Sequence, residues 1–185
     1  MQTAQVTQDR GTITWQVDPV HSEVGFSVRH LMVANVRGRF HNVSADLHLD
    51  EADLTQSSIE VEIETDSIDT RAEQRDQHLR SADFFDAENH PRIRFISESI
   101  ERVSDARYRV SGDLTIRGTT RRVVLDTEVR GPEKDPWGGE RLGVSASTRI
   151  DRRDFGLTWN QALETGGLAV AHDVKINIEL ELIRQ

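Results

Sequence analysis

The chain has 185 residues, with 32 acidic against 23 basic side chains and a formal net charge of −9. Because it contains no cysteine, thiol catalysis, cysteine-ligated zinc, iron–sulfur clusters and disulfides are excluded. The acidic balance argues against sequence-independent binding of nucleic acid, which needs a basic face. No stretch approaches the about 20 apolar residues of a transmembrane helix, so no integral membrane segment is expected.

Alternation of apolar and polar residues at period two dominates the first part of the chain. Residues 13–17, 24–30, 43–49 and 59–63 follow this pattern. It is typical of half-buried strands in an antiparallel sheet. His30 continues the phase of the inward side chains before it.

Residues 70–82 are the one segment predicted to be helical. Thr70 and Glu73 form a capping-box pattern, in which two side chains satisfy the first backbone N–H groups of a helix. Asp76 and Arg80 are spaced for an ion pair one turn apart. The apolar face is thin, so the helix is expected to cover one small opening as a lid.

Period-two alternation returns in the second part of the chain. It predicts strands near residues 93–100, 108–116, 123–129, 142–150 and 174–182. Because Ile96 and Ile100 lie out of phase with Phe95, a bulge is expected near Phe95. Gly118 predicts a hairpin turn. Residues 131–139, with two prolines and paired glycines, predict a hairpin tip or a long connection.

Eight or nine such strands must bury their apolar faces in a barrel or a sandwich, and only a closed barrel removes every exposed edge. A barrel of about eight strands is either filled by its own side chains or holds one elongated ligand. Aromatic residues make up only 5% of the chain, which favours a cavity. An ordinary packed core fits the composition as well.

Several separated motifs resemble those of the YceI-like family. The family's opening segment is matched by residues 17–22, 24–31 and 36–40 of this chain. Its helix region is matched by residues 77–86, followed by Pro91 and Phe95. Further matches lie at residues 112–118, 135–138 and 151–156, with Arg141 and Gly143 between the last two. The resemblance spans about residues 12–183.

This resemblance implies an all-β fold, a lipocalin-like antiparallel eight-stranded β-barrel with one helix as its lid. It predicts one domain at residues 12–185 after a disordered polar tail at residues 1–11. The implied function is non-catalytic binding, storage or transport of a long-chain isoprenoid lipid, either a polyprenyl phosphate or an isoprenoid quinone. A homodimer is also implied.

The predicted ligand-binding side chains share the inward phase of the strands or belong to the helix and its exit. They are Trp15, Val24, Phe26, Val28, His30, Phe40, Leu47, Leu49, Val61, Ile63, Leu79, Phe84, Phe85, Phe95, Leu114, Ile116, Leu125, Val144, Phe155, Ile176 and Ile178.

Three side chains are candidates for contact with a polar head group. His30 has one hydrogen bond to offer a quinone oxygen or a phosphate, although a core histidine bonded to backbone is the competing interpretation. Arg37 and Arg39 would suit a phosphate at a barrel mouth, and solvated outward arginines are the alternative. The charged residues 149–154 are expected to form ion pairs that fix a corner.

Two other functions are alternatives to the binding, storage or transport of a lipid. An enzyme using the same cavity would need paired titratable groups inside it, and a filled barrel would suit a stress-related interaction module. The seven histidines lack metal-ligand spacing, so no metal and no catalytic cofactor are expected. The first ten residues show no basic and apolar signal pattern, so a cytoplasmic protein is expected, or a periplasmic one if a signal was removed.

Overall fold

A computed structural model describes residues 13–164 and 166–185, apart from the side chain of Ile13. The predicted disordered tail at residues 1–11 lies outside the described residues. The strands are β1 (Ile13–Val17), β2 (Glu23–His30), β3 (Ala34–Phe40), β4 (Val43–Leu49), β5 (Ser58–Glu64), β6 (Ile68–Asp69), β7 (Arg92–Arg102), β8 (Arg107–Ile116), β9 (Thr119–Lys134), β10 (Glu140–Asp151) and β11 (Val170–Arg184). The helices are α1 (Glu73–Arg80) and the 3-10 helices Leu54–Gln56, Thr65–Ser67 and Arg152–Phe155.

The strands form one closed antiparallel sheet. Each of three barrel strands is broken into two segments, so β1 with β2, β3 with β4, and β5 with β6 count as one strand each. The eleven segments therefore make eight barrel strands, joined in chain order. β1 closes the ring because it pairs with both β4 and β11. This confirms the predicted eight-stranded antiparallel barrel.

The break between β1 and β2 has a local cause. Pro19 offers no backbone N–H to a sheet, and the Asp18 side chain accepts a hydrogen bond from the Val20 N–H at 2.9 Å. This side-chain turn replaces the ladder at that point. The two segments then follow the same neighbour, β11, with β1 at its carboxyl end and β2 toward its amino end.

The hairpin predicted at Gly118 is present between β8 and β9. Arg117 and Gly118 have φ of 48° and 71°, the left-handed pair that a tight two-residue hairpin turn requires. The bulge predicted near Phe95 is present on the same strand, between Ser97 and Ser99. The hydroxyl of Ser97 accepts a hydrogen bond from the Ile59 N–H at 2.9 Å, which shows where the ladder is interrupted.

The predicted capping box is wrong, because the side chains of Thr70 and Glu73 bind Asp76 and Gln77 of the helix itself. The helix begins at Glu73, its N-cap is Ala72, and that cap makes no side-chain hydrogen bond. The Thr70 hydroxyl donates instead to the buried carboxylate of Asp76. The predicted pair of Asp76 with Arg80 is also wrong, since Arg80 donates to the carbonyl oxygens of residues 66 and 68.

The two ends of the barrel are covered differently. The helix end carries α1, the β2–β3 and β8–β9 turns, and the segment between β10 and β11. The opposite end carries the turns that join β4 to β5, β7 to β8 and β9 to β10. None of the helices in the described part of the chain is long and apolar enough to cross a membrane.

Candidate functional site

The interior of the barrel holds an apolar cavity of about 260 Å³. A single buried water needs roughly 10–15 Å³, so this space is far larger than a packing defect. Its wall is built from the inward side chains of the barrel strands, with additions from α1 and from the segment after β10. The interior is therefore not filled by its own side chains.

Most of the side chains predicted to bind ligand do line this cavity. Those that do are Val24, Phe26, Val28, Phe40, Leu47, Leu49, Val61, Ile63, Leu79, Phe84, Phe85, Phe95, Leu114, Ile116, Leu125, Val144, Phe155, Ile176 and Ile178. Trp15 and His30 are not among the lining residues. Contact of any of them with a ligand stays a prediction.

Trp15 lies in a separate apolar cluster toward the opposite end. It is only 3% exposed and packs with Leu47, Leu49, Leu142 and Leu182. Because the indole is enclosed by neighbouring side chains, it belongs to the core that seals this end of the barrel. The side chain of Trp15 points inward, as the alternation predicts. Alternation alone does not separate a core position from a cavity position.

The three head-group candidates stand away from the cavity. Val36, Gly38 and Phe40 share one face of β3, so the alternation turns Arg37 and Arg39 outward. Arg39 lies 3.6 Å from carboxylate oxygens of both Glu23 and Asp69. His30 ends β2, half-buried and beyond the last lining residue of that strand.

A buried arginine, Arg152, lines the cavity at the helix end. It is 4% exposed, and its guanidinium donates to the carbonyl oxygens of Leu157, Trp159, Val170 and Ala171. Burial lowers the pKa of this group. The prediction that the charged residues 149–154 form ion pairs is therefore confirmed for Arg153, which binds Asp151. It is wrong for Arg152, which binds backbone carbonyl oxygens.

The sequence does contain a signal for Arg152. It follows Thr148 and Ile150 at period two, and both of those residues line the cavity. A charged residue continuing an inward phase is assigned to solvent by default, because isolated buried charges are costly. Here four backbone carbonyls offset that cost, and their arrangement depends on the fold of the segment after β10.

The remaining polar groups of the wall are few. Besides Arg152, the lining side chains with a polar atom are Ser57, Tyr108, Thr127 and Thr148. The Thr127 hydroxyl donates to the Leu125 carbonyl oxygen at 3.2 Å. Within the described residues the wall contains no carboxylate and no histidine.

Aromatic rings cover the helix end of the cavity in two groups. The Phe40 ring lies 5.9 Å from Phe26 and 6.0 Å from Phe85, measured between centroids. On the other side, Trp159 lies 5.3 Å from Phe84 and 4.7 Å from the His78 ring. The exit of α1 and the segment after β10 therefore close this end together. Trp159 was not predicted, because no strand period includes it.

A charge cluster on the outside fastens three distant segments. The guanidinium of Arg141 contacts Asp18, Glu181 and Asp135, and His21 Nδ1 lies 2.9 Å from Asp18 Oδ2. The bond to His21 is the largest cause that lowers the pKa of Asp18 to about 2, and Asp18 raises the pKa of His21.

The geometry of this cluster also bears on metal binding. Ligand atoms of Asp18, His21 and Glu181 lie within 4.8 Å of one another, a spacing that would suit a cation. The guanidinium of Arg141 already binds both carboxylates and supplies the positive charge. The cluster therefore acts as a clamp between the β1–β2 break, the β9–β10 turn and β11.

Comparison with known proteins gives consistent results. A family model described as a YceI-like domain matches residues 15–182. A UPF0312 protein of Staphylococcus epidermidis is 39% identical over 165 residues, covering 89% of this chain and 94% of that protein. The crystal structure of BcnA from Burkholderia cenocepacia has a TM-score of 0.78 at 25% identity, covering 89% of this chain and 98% of BcnA.

A third likeness concerns the fold alone. A polyisoprenoid binding domain from Saccharophagus degradans, implicated in plant cell wall breakdown, has a TM-score of 0.71 at 15% identity. The match covers 94% of this chain and 99% of that domain. The same barrel thus recurs in proteins of very different sequence.

Proposed function

The chain belongs to the YceI-like domain family, and on that basis we propose that its cavity binds one long-chain isoprenoid lipid for storage or transport, without catalysis. A polyprenyl phosphate and an isoprenoid quinone are the two ligand classes proposed. A domain of the same fold is described as polyisoprenoid binding, and this supports the choice of ligand class.

The observation that carries the proposal is the length and apolar character of the cavity. On β11 the lining residues run from Val170 to Leu182, which at 3.3 Å per residue and a strand tilt of about 40° spans on the order of 30 Å along the barrel axis. A hydrocarbon chain in such a space gains about 25 cal/mol for each Å² of apolar surface removed from water. Affinity then grows with chain length and needs few polar contacts.

The polar groups of the wall fit a ligand recognised mainly by its chain. Arg152 already donates to four carbonyl oxygens, which leaves little of its hydrogen-bonding capacity for a head group. We therefore expect weak discrimination between a phosphate and a quinone head group, since neither finds a set of dedicated donors.

The wall supports binding better than catalysis. An enzyme of isoprenoid or small-molecule metabolism would need paired acid and base groups at the reacting atoms. Among the described lining residues, Tyr108 and Arg152 are the side chains that titrate, and Arg152 is occupied by backbone. The cavity itself also opposes the filled-barrel interaction module.

Extraction of the purified protein tests the proposal. The protein is produced in cells that make isoprenoid quinones, and native mass spectrometry compares its mass before and after organic extraction. The expected result is a bound apolar molecule released by the solvent, with isoprenoid fragments in its spectrum. Release of no apolar molecule, together with no uptake of excess polyprenyl phosphate or quinone by the extracted and folded protein, contradicts it.

A further inference from the structure

One outer face of the barrel near the helix end carries a row of cations. Arg149 on β10 is the direct partner of Lys175 on β11, Lys175 pairs with Ser27 on β2, and Ser27 pairs with Arg37 on β3. Arg29 stands next to Ser27 on the same face of β2. We call Arg29, Arg37, Arg149 and Lys175 the basic row; all four are exposed.

The basic row is not explained by ion pairing within the described residues. No salt bridge to a described residue involves any member of the row. On the opposite wall Arg92, Arg94 and Arg122 each lie within 4 Å of a carboxylate. Arg107 and Arg109 there form no salt bridge to a described residue either, but they face Glu128 and Asp126 in register. The nearby carboxylates of Asp151, Asp154 and Asp173 instead surround Arg153.

The register makes this arrangement unfavourable for folding alone. Like charges directly opposite each other on neighbouring strands destabilise a sheet, and Arg149 faces Lys175 in this way. The concentration of positive charge also stands out in a chain whose net charge is −9. A face that is costly in isolation and complementary to negative charge points to an anionic partner.

An exposed apolar turn lies beside the basic row. Leu31, Met32 and Val33 connect β2 to β3, and Met32 and Val33 are 66% and 78% exposed. Leu31 and Met32 have φ of 51° and 59°, a left-handed conformation that is unfavourable for residues other than glycine. The Leu31 N–H donates to the Ala169 carbonyl oxygen, which brings the exposed Leu168 next to the turn.

We infer that the basic row and this apolar turn together dock the helix end of the barrel onto an anionic lipid bilayer. Arg29 is two residues from the turn and Arg37 is four residues from it, about 7 and 13 Å along the strands. When the turn enters the headgroup region, by about 5–10 Å, these cations lie within about a Debye length of the lipid phosphates.

This orientation has a consequence for the cavity. It presents to the bilayer the end that α1 and the segment after β10 cover, where Phe85 and Trp159 close the interior. A lipid would then pass between membrane and barrel without crossing bulk water. The docking itself is independent of the proposed ligand, since it uses only outward side chains.

Vesicle flotation tests the inference with the full chain and without any isoprenoid. Vesicles of phosphatidylglycerol and phosphatidylcholine are compared with vesicles of phosphatidylcholine alone at about 0.1 M salt. The charge variant is Arg37→Gln with Arg149→Gln and Lys175→Gln. Its matched control is Arg107→Gln with Arg109→Gln and Arg130→Gln, three exposed arginines of the opposite wall that lie away from the helix end.

The expected result is binding to the anionic vesicles and not to the neutral ones. The charge variant should lower the partition coefficient on the order of 100-fold, at the strength typical of three cations near an anionic surface, and its control much less. Met32→Ser with Val33→Ser should lower it on the order of 10-fold through lost apolar insertion. Val103→Ser, at the exposed Val103 of the β7–β8 turn, should have no effect.

Three outcomes would overturn the inference. The first is no flotation of the wild type with anionic vesicles, and the second is equal loss in the charge variant and its control. The third is a dimer that the charge or turn variant converts to monomer while vesicle binding is absent or unchanged, which would make a second copy of the chain the occupant of this face.

Discussion

Two walls of the barrel follow the same alternating pattern but bury their inward side chains to different degrees. On the packed wall, formed by β7 and β8, the inward residues Ile93, Phe95, Val110 and Leu114 are buried. On the open wall, formed by β2 and β11, most inward residues are only half-buried, although inward residues of both walls line the cavity. We conclude that one sequence pattern produces both core and binding space.

The covering segments make the difference between the walls. Phe84 from the exit of α1, with Phe155 and Leu157 from the segment after β10, packs into the cluster of the packed wall. The open wall is held at its edge by the charge cluster around Arg141. Stability is therefore expected to reside mainly in the packed wall, and ligand capacity in the open wall.

A matched pair of leucines gives the largest expected contrast. Leu114→Ala removes a buried side chain from the packed wall and should lower the free energy of unfolding by about 3 kcal/mol, through lost transfer energy and a new void. Leu180→Ala on the open wall should cost about 1 kcal/mol, because its side chain is only half-buried and loses fewer contacts. Urea unfolding of the extracted protein measures both. Equal losses would erase the distinction between the walls.

Two glycines test the same contrast by addition of a methyl group. A Cβ at Gly112 would overlap the Ile96 carbonyl oxygen and the Phe95 ring, so Gly112→Ala should cost about 2–3 kcal/mol. A Cβ at Gly38 would overlap the end of the Phe26 ring, which can turn into the cavity, and would come within 2.9 Å of Thr70 Cγ2, so that a shift of a few tenths of an ångström is needed there. Gly38→Ala should then cost less than about 1 kcal/mol and reduce the longest chain bound.

The end of α1 and the residues just after it contribute side chains to both walls. Both Leu79 and Phe84 line the cavity, but Phe84 is buried in the packed cluster, whereas Leu79 is only half-buried. Phe84→Ala should cost about 3 kcal/mol. Leu79→Ala should cost about 1 kcal/mol and mainly speed ligand transfer to acceptor vesicles, as expected for a lid. A large fall in the urea midpoint with an unchanged transfer rate would assign Leu79 to the core.

The charge cluster at the edge of the open wall should show a defined pH dependence. Asp18 raises the pKa of His21, so the stabilisation from protonated His21 is present below about pH 6.5 and is lost as the pH rises through the raised pKa. Asp18, with its pKa lowered to about 2, contributes above about pH 4 and loses this contribution as the pH falls toward its lowered pKa.

His21→Gln should therefore lower the urea midpoint more at about pH 5.5 than at about pH 8.5. His48→Gln, at an exposed histidine of β4 outside the cluster, is the control and should show little difference between the two conditions. The same loss at both values of pH would mean that protonated His21 does not hold the clamp.

The contrast between the walls also marks the limit of the sequence analysis. Alternation identified Val110 and Leu114, and equally Ile176 and Ile178, as inward residues, and Gly118 marked the hairpin. Alternation could not tell that the first two are buried and the last two only half-buried, because that depends on where segments distant in sequence fold back.

Local motifs failed where another hydrogen-bonding partner competed. Thr70 has the residue type and spacing of a helix cap, but its hydroxyl binds the buried Asp76. Arg152 has the charge of a surface residue, but four carbonyls enclose it. In both cases the deciding partner is a group whose position only the folded chain determines.

A chain-length competition tests most directly whether the cavity beside the open wall holds an isoprenoid chain. Extracted wild type and Ile178→Trp are each incubated with an equimolar series of polyprenyl phosphates, and native mass spectrometry reads the bound lengths. We predict one lipid per protein. The wild type should retain long chains and the variant should lose the longest of them. The free energy of unfolding of the variant, from urea titration, should change by less than about 1 kcal/mol. No complex with any length, or identical length distributions in the two folded proteins, would contradict the account.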